Sequence, residues 1–265
     1  MAEFGANDVK RLRDLTGAGM MDAKRALTDN DGDFQAAGRW LREQGLAAQE
    51  KRSARESSEG AVALAVHDGA AGVVELRSET DFVAKSPEFT ALADELAQAV
   101  AERGEEAVAD LADRLDNLKV ALKENLEVGR VVRMEAAEGN VLDTYLHVQN
   151  DRGKNAVVVE LSGGDRQLAH DVAIHIAFAR PAHLTREEFA AEEVQAKRQE
   201  LERLSRNEGK PEQALAKIVE GRINGFFKSV PGGALLDQPF VKDEKQTVGQ
   251  ALGQAQVVRF AQVEV

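Results

Sequence analysis

Gly60-Ala61-Val62-Ala63-Leu64-Ala65-Val66-His67-Asp68-Gly69-Ala70-Ala71-Gly72-Val73-Val74-Glu75-Leu76 is where the hydrophobic period of this chain changes from helical to alternating. Val62, Leu64 and Val66 alternate with smaller residues, Asp68 to Gly72 reads as a turn, and Val73–Leu76 returns as a buried strand. The stretch therefore predicts an antiparallel hairpin. The same order recurs downstream: Val141 to Val148 reads as a strand, Asn150-Asp151-Arg152-Gly153 as a turn, and Val157 to Leu161 as the return. Val73-Val74-Glu75-Leu76 reappears as Val158-Val159-Glu160-Leu161 at an offset of 85, and Val131-Val132-Arg133 as Val257-Val258-Arg259 at an offset of 126. These matches predict an internal duplication, with an insertion of 41 residues in the second copy, the difference between the two offsets.

The insertion follows Arg180-Pro181. Residues 185–207 read as a charged helix with sparse apolar positions (Phe189, Val194, Leu201, Leu204), broken at Asn207-Glu208-Gly209-Lys210-Pro211. Residues 211–228 read as a second helix carrying Leu215, Ile218, Val219, Ile223 and Phe226. Together they predict an antiparallel helical hairpin of coiled-coil type, able to reach a partner or to pair with a second copy. The remaining core helices are expected at 87–103, 105–126 and 165–179, with strands at Val128–Met134 and Val257–Val265.

Directly after the first hairpin comes Ser78-Glu79-Thr80-Asp81-Phe82-Val83-Ala84-Lys85, read as a loop, and then Ser86-Pro87 as a helix start, a capping serine before a proline at the first helical position. The loop sets an acid beside a large aromatic at the edge of a rigid element, where binding residues tend to sit. Phe82 has two readings on its own chemistry: it turns inward to close the core, as most phenylalanines do, or it faces out as a contact.

Upstream, residues 7–45 read as three short helices. Asn7 or Asp8 caps the first, which carries Val9, Leu12 and Leu15 and ends at Gly17. Met20–Thr28 forms the second, with Met21, Lys24 and Leu27 at helical spacing. Asp33 caps the third, which carries Ala37, Trp40 and Leu41 and stops at Gly45. Between the first two helices, Thr16-Gly17-Ala18-Gly19 leads into Met20-Met21. Neighbours on a helix point about 100° apart, so one methionine can be core while the other is exposed, and exposed methionine suits an adaptable protein contact. No preceding strand and no Gly-Lys-Ser/Thr pattern supports a phosphate loop there. Residues 47–59 are polar and mixed in charge, a linker or an exposed helical tail.

At 265 residues, 43% hydrophobic and 30% charged, the chain is composed like an ordinary soluble protein. Its net charge of −12 disfavours nucleic acid as a direct partner. The absence of cysteine excludes disulfides and thiol chemistry. The start, Met1-Ala2-Glu3-Phe4-Gly5, lacks signal-peptide character, and no window approaches the ~18 apolar residues of a membrane span, so a cytoplasmic location is expected. Of the five histidines, His170 and His175 stand five apart and do not share a helix face. His147, beside the only tyrosine, Tyr145, is the one kept as a candidate. No hydrolase, zinc-protease, dinucleotide or Walker pattern is present, and neither metal nor cofactor is expected. The residues argue against an enzyme with covalent chemistry of its own.

Val9-Lys10, Leu12-Arg13, Thr16-Gly17-Ala18-Gly19-Met20-Met21-Asp22, Lys24 and Ala26-Leu27, with Thr80-Asp81-Phe82-Val83-Ala84-Lys85, Val219-Glu220-Gly221-Arg222, Gln238-Pro239-Phe240-Val241 and Thr247-Val248-Gly249-Gln250, closely resemble the bacterial elongation factor Ts family. The resemblance implies an α+β fold: a ubiquitin-associated-like three-helix module at 1–46, a linker at 47–59, and a core N-subdomain at 60–140. A core C-subdomain at 141–183 and 229–265 and an inserted helical hairpin at 184–228 complete it. It implies nucleotide exchange on elongation factor Tu, bound in its GDP state and nucleotide-free, with Thr80, Asp81, Phe82 and Val83 dislodging the partner's Mg2+ and disturbing its phosphate loop. It also places Gly19, Met20 and Met21 in a partner contact, and His147 near one. Many relatives have an isoleucine-glycine pair where this chain has Leu122-Lys123-Glu124-Asn125-Leu126, so those contacts are not carried over. With the chain ending at Val265, no tail contact is expected. The competing expectation is a non-catalytic adapter that binds one protein through the module and another through the hairpin; a homodimer also stays open.

Overall fold

The computed structural model describes residues 4–50 and 55–265; Met1 to Glu3, and residues 51–54 of the expected linker, lie outside them. Three helices come first: α1 (Ala6–Thr16), α2 (Met20–Asp29) and α3 (Phe34–Glu50). Their small core is Val9, Leu12, Ala23, Ala26, Leu27, Ala37 and Leu41, with Phe34 and Trp40 packed against it. Three details differ from expectation. The cap of α1 is Gly5, whose N–H donates to the Asp8 carboxylate at 2.9 Å, so Asp8 completes the cap from inside the helix. The buried face of α2 is Ala23, Ala26 and Leu27 rather than the stripe through Met21, and Leu15 of α1 is exposed. Gly45 does not stop α3: a Cβ there would lie 2.7 Å from Val120, so its service is a close approach between helices.

The core begins with β1 (Glu59–His67) and β2 (Ala70–Ser78), then a single helical turn, α4 (Asp81–Ala84), and α5 (Pro87–Arg103). A 3-10 segment, Glu105–Leu111, leads into α6 (Ala112–Leu122), so the helix expected over 105–126 is two pieces, ended by Lys123 at φ 59. β3 (Glu127–Glu135) completes an antiparallel sheet of order β1-β2-β3. β4 (Val141–Gln149), β5 (Arg152–Ser162), α7 (Arg166–Ala179), α8 (Ala191–Asn207) and α9 (Glu212–Phe227) follow. Residues 186–188 form a 3-10 turn instead of opening α8. A hairpin of β6 (Pro239–Phe240) and β7 (Asp243–Thr247), with α10 (Val248–Leu252), was not anticipated. β8 (Gln256–Glu264) closes a second antiparallel sheet of order β4-β5-β8.

Burial explains the layering. Ala61, Ala63, Val74 and Leu76 pack under α5 with Phe89, Leu92, Leu96 and Val100, while Val62, Ala71, Val73 and Met134 face Ala156, Val158, Ala261 and Val263 of the second sheet. Val157, Val159 and Leu161 pack under α7 with Val172 and Ile176. Each central strand is covered on both faces, which is why β2 and β5 read as near-continuous apolar runs. The duplication extends to polar detail. Glu75 and Glu160 are both buried at register shifts of their sheets. Glu75 accepts the Arg130 N–H at 2.8 Å and Arg77 Nε at 2.6 Å; Glu160 accepts the Ala137 N–H at 2.8 Å, Asn140 Nδ2 at 2.7 Å and Arg259 Nε at 2.7 Å. Such pairing is what lets a buried carboxylate persist.

The inserted helices α8 and α9 pack on each other, and their base is sealed by Phe189, Val219, Ile223, Phe227 and Ala234. Arg186 fastens that base to the core, donating to both Asp237 oxygens (2.8 and 2.6 Å) and to Asn224 (2.7 Å), with its guanidinium 4.9 Å over the Phe227 ring. No helix among the described residues is long and apolar enough to cross a membrane.

Candidate functional site

The stretch expected to be a loop, Thr80–Val83, is the single turn α4 and its cap. Thr80 is the N-cap, its hydroxyl accepting the Val83 N–H at 3.3 Å. The Ala84 N–H returns to Thr80 O at 3.2 Å, and the turn ends as Ser86 N–H reaches Val83 O at 2.9 Å. Ser86 then precedes α5, but its hydroxyl makes no cap bond. Val83 and the buried Ala84 face the core under α5. That leaves the residue between Asp81 and Val83 pointing away, and Phe82 is 84% exposed. The inward reading of Phe82 is overturned: Phe89, a helix turn into α5, fills the core position. A phenylalanine held in water on a rigid turn costs its apolar burial and does no packing here.

Asp81 pairs with Lys85 Nζ at 2.5 Å, one helical turn on. That hydrogen bond, opposed by desolvation, holds the Asp81 carboxyl below its usual range. The acid is therefore charged at neutral pH and half-exposed beside the aromatic.

Two long-range devices hold the turn, and neither was foreseen. From the end of α6, Glu124 accepts the Glu79 and Thr80 N–H groups, both at 3.1 Å, and the Thr80 hydroxyl at 2.6 Å. In return, Glu79 accepts the Asn125 N–H at 2.7 Å. On the other side, the buried Arg152 opens β5 and donates to Gly60 O (2.8 Å) and Glu59 (2.7 Å), and Glu59 pairs with Ser78 in the sheet. No local sequence signal marks either contact, because each spans more than forty residues.

The other candidates lie along the same supports. Gly17 (φ 67) and Gly19 form the joint between α1 and α2. A Cβ on Gly17 would lie 3.1 Å from Ala121, and one on Gly19 would lie 3.9 Å from Lys123 Nζ. The joint thus rests on the end of α6 whose next residue clasps Thr80. Met20 is 46% and Met21 70% exposed, so both methionines are outside the core. His147 is exposed on β4, opposite Asn155, at the end of the hairpin whose return strand starts with Arg152. An open cleft between the module and α5–α6 is lined by Leu12, Leu15, Phe34, Leu92 and Leu118, with Arg39, Arg42 and Arg114 also on its walls.

Two other histidines are held by specific partners. His170 Nδ1 meets Asp143 at 2.9 Å. His175 is 1% exposed, its Nδ1 accepting the Val241 N–H at 3.2 Å and its Nε2 facing Gln238 Oε1 at 3.1 Å. Burial pushes its pKa below the ordinary 6.5, the Gln238 bond opposing only in part. Protonation in the unfolded chain but not in the folded one means stability is lost as pH falls below about 6.5. The urea midpoint should drop between pH 7 and pH 5, and His175→Gln should flatten that part of the drop. No group of three or more metal-ligating side chains occurs among the described residues.

Residues 79–265 match the family model described as elongation factor TS. Over the full chain, elongation factor Ts of Clavibacter michiganensis subsp. michiganensis is 43% identical across 279 aligned residues, covering 100% of this chain and 99% of its own. That of Micrococcus luteus is 42% identical with the same coverage, and that of Alkalilimnicola ehrlichii is 42% identical over 99% of this chain and 92% of its own. The relatives extend over the module that the family model leaves out, and the similarity runs along the whole length: the chain belongs to the elongation factor Ts family.

Proposed function

We propose that this protein is the guanine nucleotide exchange factor for elongation factor Tu, and that it acts in the cytoplasm without covalent chemistry of its own. The observation that carries this reading is Phe82: an aromatic side chain presented to solvent beside a charged Asp81, on a turn anchored from both sides. In this reading Thr80 to Val83 form a wedge that enters the GTPase near its magnesium ion. Bound GDP is held partly by a divalent cation on its phosphates and partly by oriented backbone amides. A rigid aromatic that shifts an element beside the ion weakens both. Asp81 adds a negative charge, which is unfavourable near phosphate and favourable near the cation, and so helps draw the ion off its site. Because coupling free energies are reciprocal, GDP or GTP rebinding weakens the factor's hold by the same ratio and releases it.

The division of labour follows the expected segments. The module of residues 1–46, past a linker at 47–59, docks the GTPase through Gly19, Met20 and Met21. The first half of the core, 60–140, presents the wedge. The second half, 141–183 with 229–265, adds His147, and the hairpin at 184–228 supplies a further contact. Release of a fluorescent GDP analogue from elongation factor Tu at millimolar magnesium tests the reading. Acceleration by orders of magnitude is the expected result. Unchanged release despite measurable binding would leave the adapter reading in its place.

A further inference from the structure

We infer that Glu124 is a positioning residue for the exchange step, acting through Thr80 to keep the Asp81-Phe82 turn in its working conformation; the inference rests on the proposed exchange function. The two halves of the core show why such a residue is required. Carrying the offset of 85 on from the matched central strands sets Thr80 against Asp165, and both are helix N-caps: Thr80 accepts the Val83 N–H, and Asp165 accepts the Leu168 N–H at 2.8 Å. In the second half the capped turn simply continues as α7, 14 residues long. In the first half it stops after 4 residues, at Ala84, and Ser86-Pro87 begins a separate helix.

A lone helical turn does not hold itself. Nucleating a helix fixes several dihedral angles for one hydrogen bond, and only propagation repays that cost. Whatever orders α4 must come from outside it. Val83 and Ala84 supply apolar contact on one side only. Glu124 supplies most of the polar remainder, since its three acceptor contacts fall on Glu79 and Thr80, the two residues before Asp81; Ser78 Oγ adds one local bond, donating to Thr80 O at 3.0 Å. Its bond from the Thr80 hydroxyl also orients that oxygen's lone pair towards Val83 N–H, so the clasp and the cap are one unit. Glu124 itself sits beside Lys123, whose left-handed backbone closes α6, and beside Asn125, whose N–H is held by Glu79. The clasp is therefore reciprocal and pre-formed. A wedge present in its working conformation for only a fraction of the time works at that fraction of its rate.

The test uses the full-length protein, with the fluorescent GDP release assay run across factor concentration to separate kcat from KM. For Glu124→Ala, kcat should fall about tenfold or more while KM stays within about threefold, because the module, His147 and the helical arm still bind. Amide hydrogen exchange at Ala84 and Lys85 should quicken while the β1-β2-β3 amides keep their protection. Glu124→Gln, which retains an oxygen for the two backbone N–H groups, should recover most of kcat. If Glu124→Ala does not fold, Glu124→Asp, one carbon too short for the clasp, is read the same way. A normal kcat in Glu124→Ala beside an impaired Phe82→Ala would overturn the inference and leave the exchange function standing. A lost kcat with unchanged exchange at Ala84 and Lys85 would also overturn it, since Glu124 would then act on the partner directly. Normal rates in both variants would sink the wedge itself.

Discussion

Phe82→Ala is expected to lower the exchange rate by about 30- to 1,000-fold while moving the melting temperature by no more than ~2 °C. The two halves of that expectation come from different physics. With 84% of its surface in water, Phe82 contributes almost nothing to folding, and truncating a surface side chain away from special features changes stability by within about 0.5 kcal/mol. In a complex, an aromatic anchor driven into a desolvated pocket is worth about 2–4 kcal/mol, and each ~1.4 kcal/mol is a factor of ten in rate. Asp81→Ala should cost less by itself, because it removes a half-exposed charge whose pair with Lys85 is worth little in water. Paired measurements of GDP release and thermal melting decide the matter. A melting point lowered by ~10 °C in Phe82→Ala would mean the ring packs internally after all, and any loss of exchange would then reflect damage to the fold.

How far the fold could be read from the chain depended on the range of the signal. The repeat of Val-Val-Glu-Leu at an offset of 85 pointed to two related sheets, because strands buried on both faces leave little freedom in composition. The structure shows even their glutamates in equivalent buried positions. The arm was legible for the opposite reason: a long charged helix with few apolar positions has few places to pack. The small elements were not legible. β6, β7 and α10 are too short for a period to emerge, and their place is set by contacts such as Phe240 on His175. At the candidate site, residue types singled out Asp81 and Phe82, but not which way the ring faced, because a phenylalanine is compatible with either side until its neighbours are known. Ala84 and Phe89 settle that by filling the core. Glu124 could not be found from residue type in a chain rich in carboxylates, since what marks it is its three hydrogen bonds.

Glycines misled most, and they carry the second large effect. Gly72 and Gly153 both follow turn-like residues and read as turn positions, yet both lie inside strands. The turns are only two residues long, Asp68-Gly69 and Asn150-Asp151, all four at positive φ, as the twist of an antiparallel hairpin favours. Gly72 is there for space: a Cβ would come within 2.4 Å of Ala97 O and 2.5 Å of Ala101 N, both backbone atoms of α5. At Gly153 a Cβ would come within 2.0 Å of Val62 O, where the second hairpin crosses β1. Backbone cannot rotate aside as a side chain can, so a single methyl group must lift α5 off its sheet or part the two sheets. Gly72→Ala and Gly153→Ala are each expected to cost about 3 kcal/mol or more, the upper part of the range for overpacking, and to lower the melting temperature by roughly 6–12 °C. Gly69→Ala is the control. It has positive φ but nothing within 4 Å of the new methyl, so only backbone strain of about 1 kcal/mol applies. If all three variants melt alike, the close approach at Gly72 and Gly153, neither of which has a positive φ, is relieved by small shifts that leave the layers packed. If Gly72→Ala and Gly153→Ala fall well below Gly69→Ala, the contacts of α5 on β2 and of the second hairpin on β1 are what hold the layers together. Those same layers support both ends of the Phe82 turn, α5 directly after it and Arg152 through Glu59 before it, so these two variants should also lose exchange activity at temperatures where Gly69→Ala keeps it.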